Sequence, residues 1–213
     1  MDLLLILDKN RYMIRVGLVI NYQSFGRDNG GMNRLQKVVV LLVLIEKLKE
    51  KGNWCGETHI QKAAYFLQNL CNVPLDYEFV LYKYGPFSFE LSDEIMRMRA
   101  DGLLKYAPKP PYGASFYVDT NSEHLRCKFV KTISKYSPTI ELLTGEIGPM
   151  GVKELEKMAT AMYVTMESEL GIVSDRASRL NELKPHIPYD EARLAVEEFD
   201  NMQKRVRGDK KGE

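Results

Sequence analysis

Little in this 213-residue chain is charged to one sign: 30 lysines and arginines face 29 aspartates and glutamates, a formal net charge of +1. A protein dedicated to nucleic acid usually carries a basic excess on one face, so near neutrality excludes a general polyanion role and leaves only local patches to weigh. Cysteine is scarce and odd in number. Cys55, Cys71 and Cys127 are widely spaced, which excludes a disulfide framework and fits reduced thiols in a cytosolic protein. Histidine is limited to His59, His124 and His186, so any catalytic imidazole or zinc site must be built from these three. Cys55-x-x-x-His59 would bring two ligands together, but a structural zinc wants four, and Cys71 and Cys127 lack CxxC spacing. No metal and no cofactor is expected.

Long apolar runs are also missing. Val38 to Ile45 is a stretch of eight, far short of the roughly 20 residues that span a bilayer. Met1 to Leu7 is too short, and has no basic stretch before it, to be a secretory signal. The expectation is a soluble, cytoplasmic chain with no membrane partner. A phosphate-binding loop is absent: Gly26 to Gly31 is not followed by Lys-Ser/Thr, and Gly145-x-x-Gly148 lies between helical stretches. The carboxylate pairs Glu167 with Glu169 and Glu197 with Glu198 have the spacing of solvated helix faces. The chain therefore reads as non-enzymatic. Because catalytic groups need meet only in space, an unrecognised enzyme stays as a third reading.

What is present is globular usage, 45% hydrophobic and 28% charged residues, in a chain long enough for one well-packed domain without disulfides or metals. Residues 1–34 read as an N-terminal segment without helical periodicity, ending in Arg27-Asp28-Asn29-Gly30-Gly31. The codons of that stretch are purine-rich, and Met32 stands as an alternative start. The other reading is a loosely attached segment with Arg11 to Tyr22 as an added strand.

Residues 35–119 form the next unit. Leu35 to Glu50 is long enough to favour a buried helix over a strand, with Lys51-Gly52-Asn53 as its stop. Ile60, Ala63, Ala64, Leu67, Leu70 and Cys71 repeat at i, i+3, i+4, so Glu57 to Asn72 reads as an amphipathic helix. Tyr77 to Tyr82 reads as extended and Gly85-Pro86 as a turn, with Pro86 in the first turn of a helix from Phe87 to Ala100 that buries Phe87, Leu91, Ile95 and Met98. Gly102 ends it. Leu103 to Ala107 and Ala114 to Val118 form a hairpin across the Pro-rich loop of residues 108–113.

Residues 120–213 read as helices packed on that core. Leu125, Phe129 and Ile133 mark one; Val152, Leu155, Met158, Ala159, Met162 and Met166 a second; Ala177, Leu180 and Leu183 a third; Pro188 to Val206 the last, before a frayed tail. The fold class is thus mainly α (α+β): a winged-helix-like helical core with a β-hairpin, plus C-terminal helices.

His59-Ile-Gln-Lys-Ala-Ala-Tyr-Phe-Leu67, Tyr82-Lys-Tyr-Gly-Pro-Phe-Ser88, Leu91 and Gly102-Leu-Leu104 together resemble the core pattern of the Panacea-domain family, which includes SocA-like antitoxins and YwgA-like proteins. The likeness covers roughly Leu35 to Val118. Leu183-Lys-Pro-His-Ile187 and the closing helix are similar to the C-terminal part of YwgA-like members. His59, Gln61, Lys62, Tyr65 and Phe66 are the motif residues. The resemblance implies a compact helical domain of bacteria and phages, often an antitoxin that neutralises a cognate toxin by contact or hands it to a protease, and no enzymatic activity.

Two binding modes can be weighed on the residues. For DNA, the helix from Phe87 to Asp101 would enter the groove, yet it carries Glu90, Asp93, Glu94 and Asp101 against Arg97 and Arg99, and phosphate would repel it. Arg126, Lys128, Lys131 and Lys135 are the better nucleic-acid candidates, although an ordinary solvated face explains them too. For protein, aromatic residues gather between Tyr65 and Phe116, and rings of this kind anchor interfaces. Phe66, Phe79 and Phe87 are expected in the core. Tyr82, Tyr84, Gly85, Pro86, Tyr112 and Phe116 are the protein-binding candidates, and His59 is a candidate to hold the Tyr82 to Phe87 segment. The Met150 to Met166 stripe reads as helix packing, with an adaptable docking surface as the alternative. The leading expectation is a protein-binding module, with a winged-helix-like DNA-binding regulator second. Oligomeric state is left open.

Overall fold

A computed structural model of the chain describes residues 31–108, 113–167 and 171–208. The Arg11 to Tyr22 strand, Tyr112, most of the Pro-rich loop and the polar tail beyond Gly208 lie outside the described residues, whereas Met32, the alternative start, is described and buried against the core.

Helix α1 (Arg34–Glu50) begins at Asn33, whose side-chain oxygen accepts from the Gln36 amide while the Gln36 side chain accepts from the Asn33 amide, each at 3.0 Å. This reciprocal box fixes the first turn. Every residue from Val38 to Ile45 is buried, as expected of a helix apolar all round that runs through a core. Gly52, at φ +79°, reverses the chain after it. Helix α2 (Glu57–Asn69) starts at Gly56 and buries His59 through Leu67 without a break. It ends three residues earlier than the spacing predicts, and Asn72 lies beyond its end at φ +56°.

The segment after α2 departs from expectation. β1 (Val80–Tyr82) pairs antiparallel with β2 (Gly85–Phe87), so the turn is Lys83-Tyr84 rather than Gly85-Pro86. Pro86 sits opposite Leu81 in the ribbon instead of in a helix. A two-stranded ribbon has only edges, which is where a residue without an N–H is tolerated. Helix α3 (Phe89–Ala100) then starts two residues later than expected because Ser88 caps it, its hydroxyl accepting from the Leu91 amide.

β3 (Leu104–Pro108) and β4 (Ala114–Val118) form the second antiparallel ribbon. α1, α2, α3 and this hairpin give the winged-helix-like order, with the β1–β2 ribbon inserted between the second and third helices. Then follow α4 (Glu123–Lys128), α5 (Val130–Ile147), α6 (Val152–Glu167), α7 (Val173–Leu183) and α8 (Tyr189–Arg207). The single helix expected around Leu125, Phe129 and Ile133 is two, broken at Phe129 where φ is −121° and ψ 31°.

The protein is mainly helical with small antiparallel ribbons, an α+β fold. α1 packs on α5, α2 on α6, and α6, α7 and α8 on one another. One continuous apolar core runs from Val38 on α1 to Met202 on α8, so α5, α6, α7 and α8 supply walls of the same core as α1, α2 and α3. Arg34 at the start of α1 grips the buried carboxylate of Glu94 on α3 at 2.7 to 3.1 Å.

Candidate protein-binding site

The Gln-Lys pair of α2 is wholly buried, and both side chains are spent on the β1–β2 ribbon. Gln61 donates its amide to the Ser88 carbonyl and accepts from the Ser88 N–H, both at 2.9 Å. This closes a two-bond ring at the exact residue that caps α3. The Lys62 ammonium, 1% exposed, donates to the Pro86 carbonyl at 2.7 Å. Lys184, just beyond α7, donates to the Tyr82 carbonyl and, at 2.7 Å, to that of Lys83. Two lysines from distant segments thus hold the backbone of one small hairpin.

Between them sits Glu156 of α6, 6% exposed. Its Oε1 lies 3.8 Å from the Lys184 ammonium and 3.2 Å from His186 Nε2, yet takes no hydrogen bond. The attraction is therefore Coulombic rather than directional, in a setting where desolvation is costly. Burial pushes the Lys62 ammonium down to about 7; the Glu156 carboxylate partly offsets this and Lys184 adds to it. Burial lowers Lys184 too, opposed by Glu156. Gly85 completes the base. Its φ is +84°, and a Cβ there would lie 3.2 Å from Thr160 Oγ1 and 3.3 Å from Lys62 Cε.

Above this base the ribbon presents rings. Tyr82, Phe87 and Phe89 pack on one another with centroids 5.7, 6.0 and 5.1 Å apart. Phe89 is 48% and Tyr84 49% exposed, Tyr82 and Phe87 are half-buried, and Lys83 lies over the Tyr84 ring at 5.3 Å. A cavity of 120 Å³ lined by Lys62, Tyr82, Tyr84 and Phe87, with Glu57 and Thr58, opens beside them.

The expected site residues therefore separate. Tyr82 and Tyr84 stand on the surface patch, whereas Gly85 and Pro86 are buried and act as its support. Phe116, expected as an exposed contact, is 2% exposed. It lies on β4, where its amide donates to the Cys55 carbonyl and its ring meets Tyr106 at 5.8 Å, so the strand turns it inward. Phe66 is in the core as expected, but Phe79 and Phe87 are only half-buried, Phe79 against Tyr65 at 5.1 Å.

His59 is buried in the first turn of α2 and lines a 400 Å³ cleft with Trp54, Arg99, Tyr106 and Phe116, on the β3–β4 side. Its Nδ1 has no hydrogen-bond partner among the described residues, and burial, with Lys49 adding, pushes the imidazole down to about 4. The expected role of holding the Tyr82 to Phe87 segment belongs instead to Gln61, Lys62 and Lys184. Among the nucleic-acid candidates, Arg126 is engaged by Glu46 at 2.8 and 3.0 Å, while Lys128, Lys131 and Lys135 are exposed.

Sequence reasoning assigned no site role to Ser88 and Lys184, which stood only within the motif stretches, or to Glu156 and Phe89. Ser88 is a preferred capping residue, and reading it as one would have placed Phe89 on the surface at the helix start. Among the described residues no three His, Cys, Asp or Glu side chains gather as a metal site, and no helix is long and apolar enough to cross a membrane. No family model and no curated protein matches the chain.

Proposed function

We propose that the chain is a non-enzymatic protein-binding module, antitoxin-like or adaptor-like, that neutralises or delivers a partner protein by direct contact through the β1–β2 ribbon. The observation that carries the reading is the set of three mutually packed rings, half-buried Tyr82 and Phe87 with exposed Phe89, on a backbone pinned by buried side chains. Rigid aromatic area loses little conformational entropy on association, and preorganised backbone lowers that cost further. Exposed Tyr84 extends the same surface.

The likeness to the Panacea family supports the same reading, because part of the pattern that carries it, Gln61, Lys62 and Tyr82 through Ser88, builds this site. It makes a cognate toxin the class of partner and the cytoplasm the compartment. The test is co-expression with the product of the neighbouring reading frame, using the chain as it is and a Tyr84→Ser/Phe89→Ser double variant. Both rings are about half exposed, so the variant keeps the core. The expected result is a stoichiometric complex and rescue of toxicity with the unaltered chain, and loss of both with the variant. A chain that captures no stoichiometric protein, or a variant that binds as well as its parent, overturns the reading.

A further inference from the structure

A second face of the molecule has the chemistry of a docking groove. The end of α5, the start of α6 and one side of α8 enclose a groove of 530 Å³ with Met150 and Met158 in its floor and Leu194, 57% exposed, on its lip. Its lining holds Glu146, Glu154, Glu191 and Glu198 but one cation, Lys157. Arg205 adds a second, and it is held by Glu146 and Glu198 together. Glu154 uses one oxygen on the Gly151 amide, Glu191 one on Lys157 and Glu198 one on Arg205. Among the described residues the other oxygen of each has no partner.

Along α8, Glu191, Leu194 and Glu198 follow at helical spacing, so an apolar side chain is flanked by acids on the same face. From this we infer that the groove takes a basic amphipathic helix of a partner protein, apolar side chains against Met150, Met158 and Leu194 and lysines or arginines on the open carboxylates. The arrangement resembles the charged flanks of a helix pair. It disfavours a second copy of this chain, because a two-fold pairing would set the same acidic rims against each other. An anionic membrane or a nucleic acid meets the same repulsion. The inference rests on the protein-binding reading but uses a surface separate from the aromatic patch.

The probe is a synthetic helical peptide of roughly 18 residues, leucine on one face and lysine on the others, titrated into the full chain by fluorescence anisotropy. A copy with glutamate in place of lysine is the control. The lysine peptide is expected to bind, and the glutamate peptide at least about tenfold more weakly. Leu194→Asp should weaken binding about tenfold, and Glu191→Gln/Glu198→Gln about fivefold with a shallower salt dependence. Tyr84→Ser/Phe89→Ser should leave the titration unchanged, which separates failure of the groove from failure of the aromatic patch. These side chains are exposed, and far-UV circular dichroism checks the fold of each variant. No binding of the lysine peptide, equal binding of the two peptides, or unchanged binding by Leu194→Asp overturns the inference. So does a dimer of the chain alone, seen by sedimentation velocity, that Leu194→Asp dissolves.

Discussion

Lys184 donates a hydrogen bond to the carbonyl oxygen of Tyr82, 102 residues earlier in the chain. Strands of three residues joined by a two-residue turn do not hold themselves in water, and here the hydrogen bonds of Lys184, Lys62 and Gln61 supply what the ribbon lacks. The arrangement has an electrostatic consequence. Two ammonium groups, 1% and 6% exposed, share one buried carboxylate. Full protonation leaves an excess positive charge in the interior, and burial therefore favours the loss of a proton.

That consequence gives a pH signature. The Lys62 ammonium is lowered from 10.5 to about 7, first by burial. Below about pH 7 folded and unfolded chains both carry the proton and the burial of charge opposes folding in full. As pH rises toward 10.5 the folded chain has released a proton that the unfolded chain still holds, so stability rises. Lys184 is shifted in the same direction and adds to the rise. Cys55, pushed up to about 12, and Cys71, to about 11, act with the opposite sign above pH 9. The urea midpoint should therefore increase between pH 7 and 9. Lys62→Met should remove most of that increase, and an unchanged slope in this variant would show that Lys62 does not titrate there.

Gly85 carries a steric version of the same dependence. At φ +84° an L side chain is strained, and a methyl group there meets Thr160 and Lys62 at 3.2 and 3.3 Å. Gly85→Ala should cost about 2 kcal/mol and lower the thermal midpoint. Gly113, also at positive φ (+81°) but with nothing within 4 Å of a Cβ there among the described residues, should lose only the backbone component. Equal losses at the two positions would mean that the packing around Gly85 is not tight.

How much of this was legible in the sequence follows from the range of each interaction. The stop of α1 at Gly52, the β3–β4 hairpin and the extent of α8 were readable because caps, glycines and periodic apolar residues act within a few positions. Phe116 was misplaced because a loop neighbourhood suggests exposure, whereas its backbone bond to Cys55 and its ring contact with Tyr106 draw it inward. Pro86 was placed in a helix because proline suits a first turn as well as an edge strand, and only pairing with Leu81 separates the two. The roles of Glu156 and Lys184 left no local trace: one looks like a solvated helix charge and the other like the charged end of a helix until the tertiary fold brings both to the ribbon. The Gln61-Lys62 and Tyr82 to Ser88 pieces could be paired only through the resemblance that links them, and the structure supplies the bonds between them.

The C-terminal helices hold a charge pair whose two ends should respond unequally. Arg176 on α7, 6% exposed, donates two bonds of 2.7 Å to Asp200 on α8 and one of 3.2 Å to Thr165 on α6, while its Nε is buried without a partner among the described residues. Asp200 is 27% exposed at its side chain. If Asp200 is removed, the guanidinium stays buried with no counter-charge, which costs about 3 kcal/mol for a buried pair. If Arg176 becomes Met, the partly exposed carboxylate can turn to water and the unsatisfied Nε is gone, so about 1 kcal/mol is the larger part of the loss. Urea denaturation of Asp200→Ala, Arg176→Met and the double variant should show Asp200→Ala as the least stable of the three, with the double variant close to Arg176→Met. Additive losses, or an Arg176→Met change as severe as Asp200→Ala, would mean that the pair contributes through its packing rather than through the burial of an uncompensated cation.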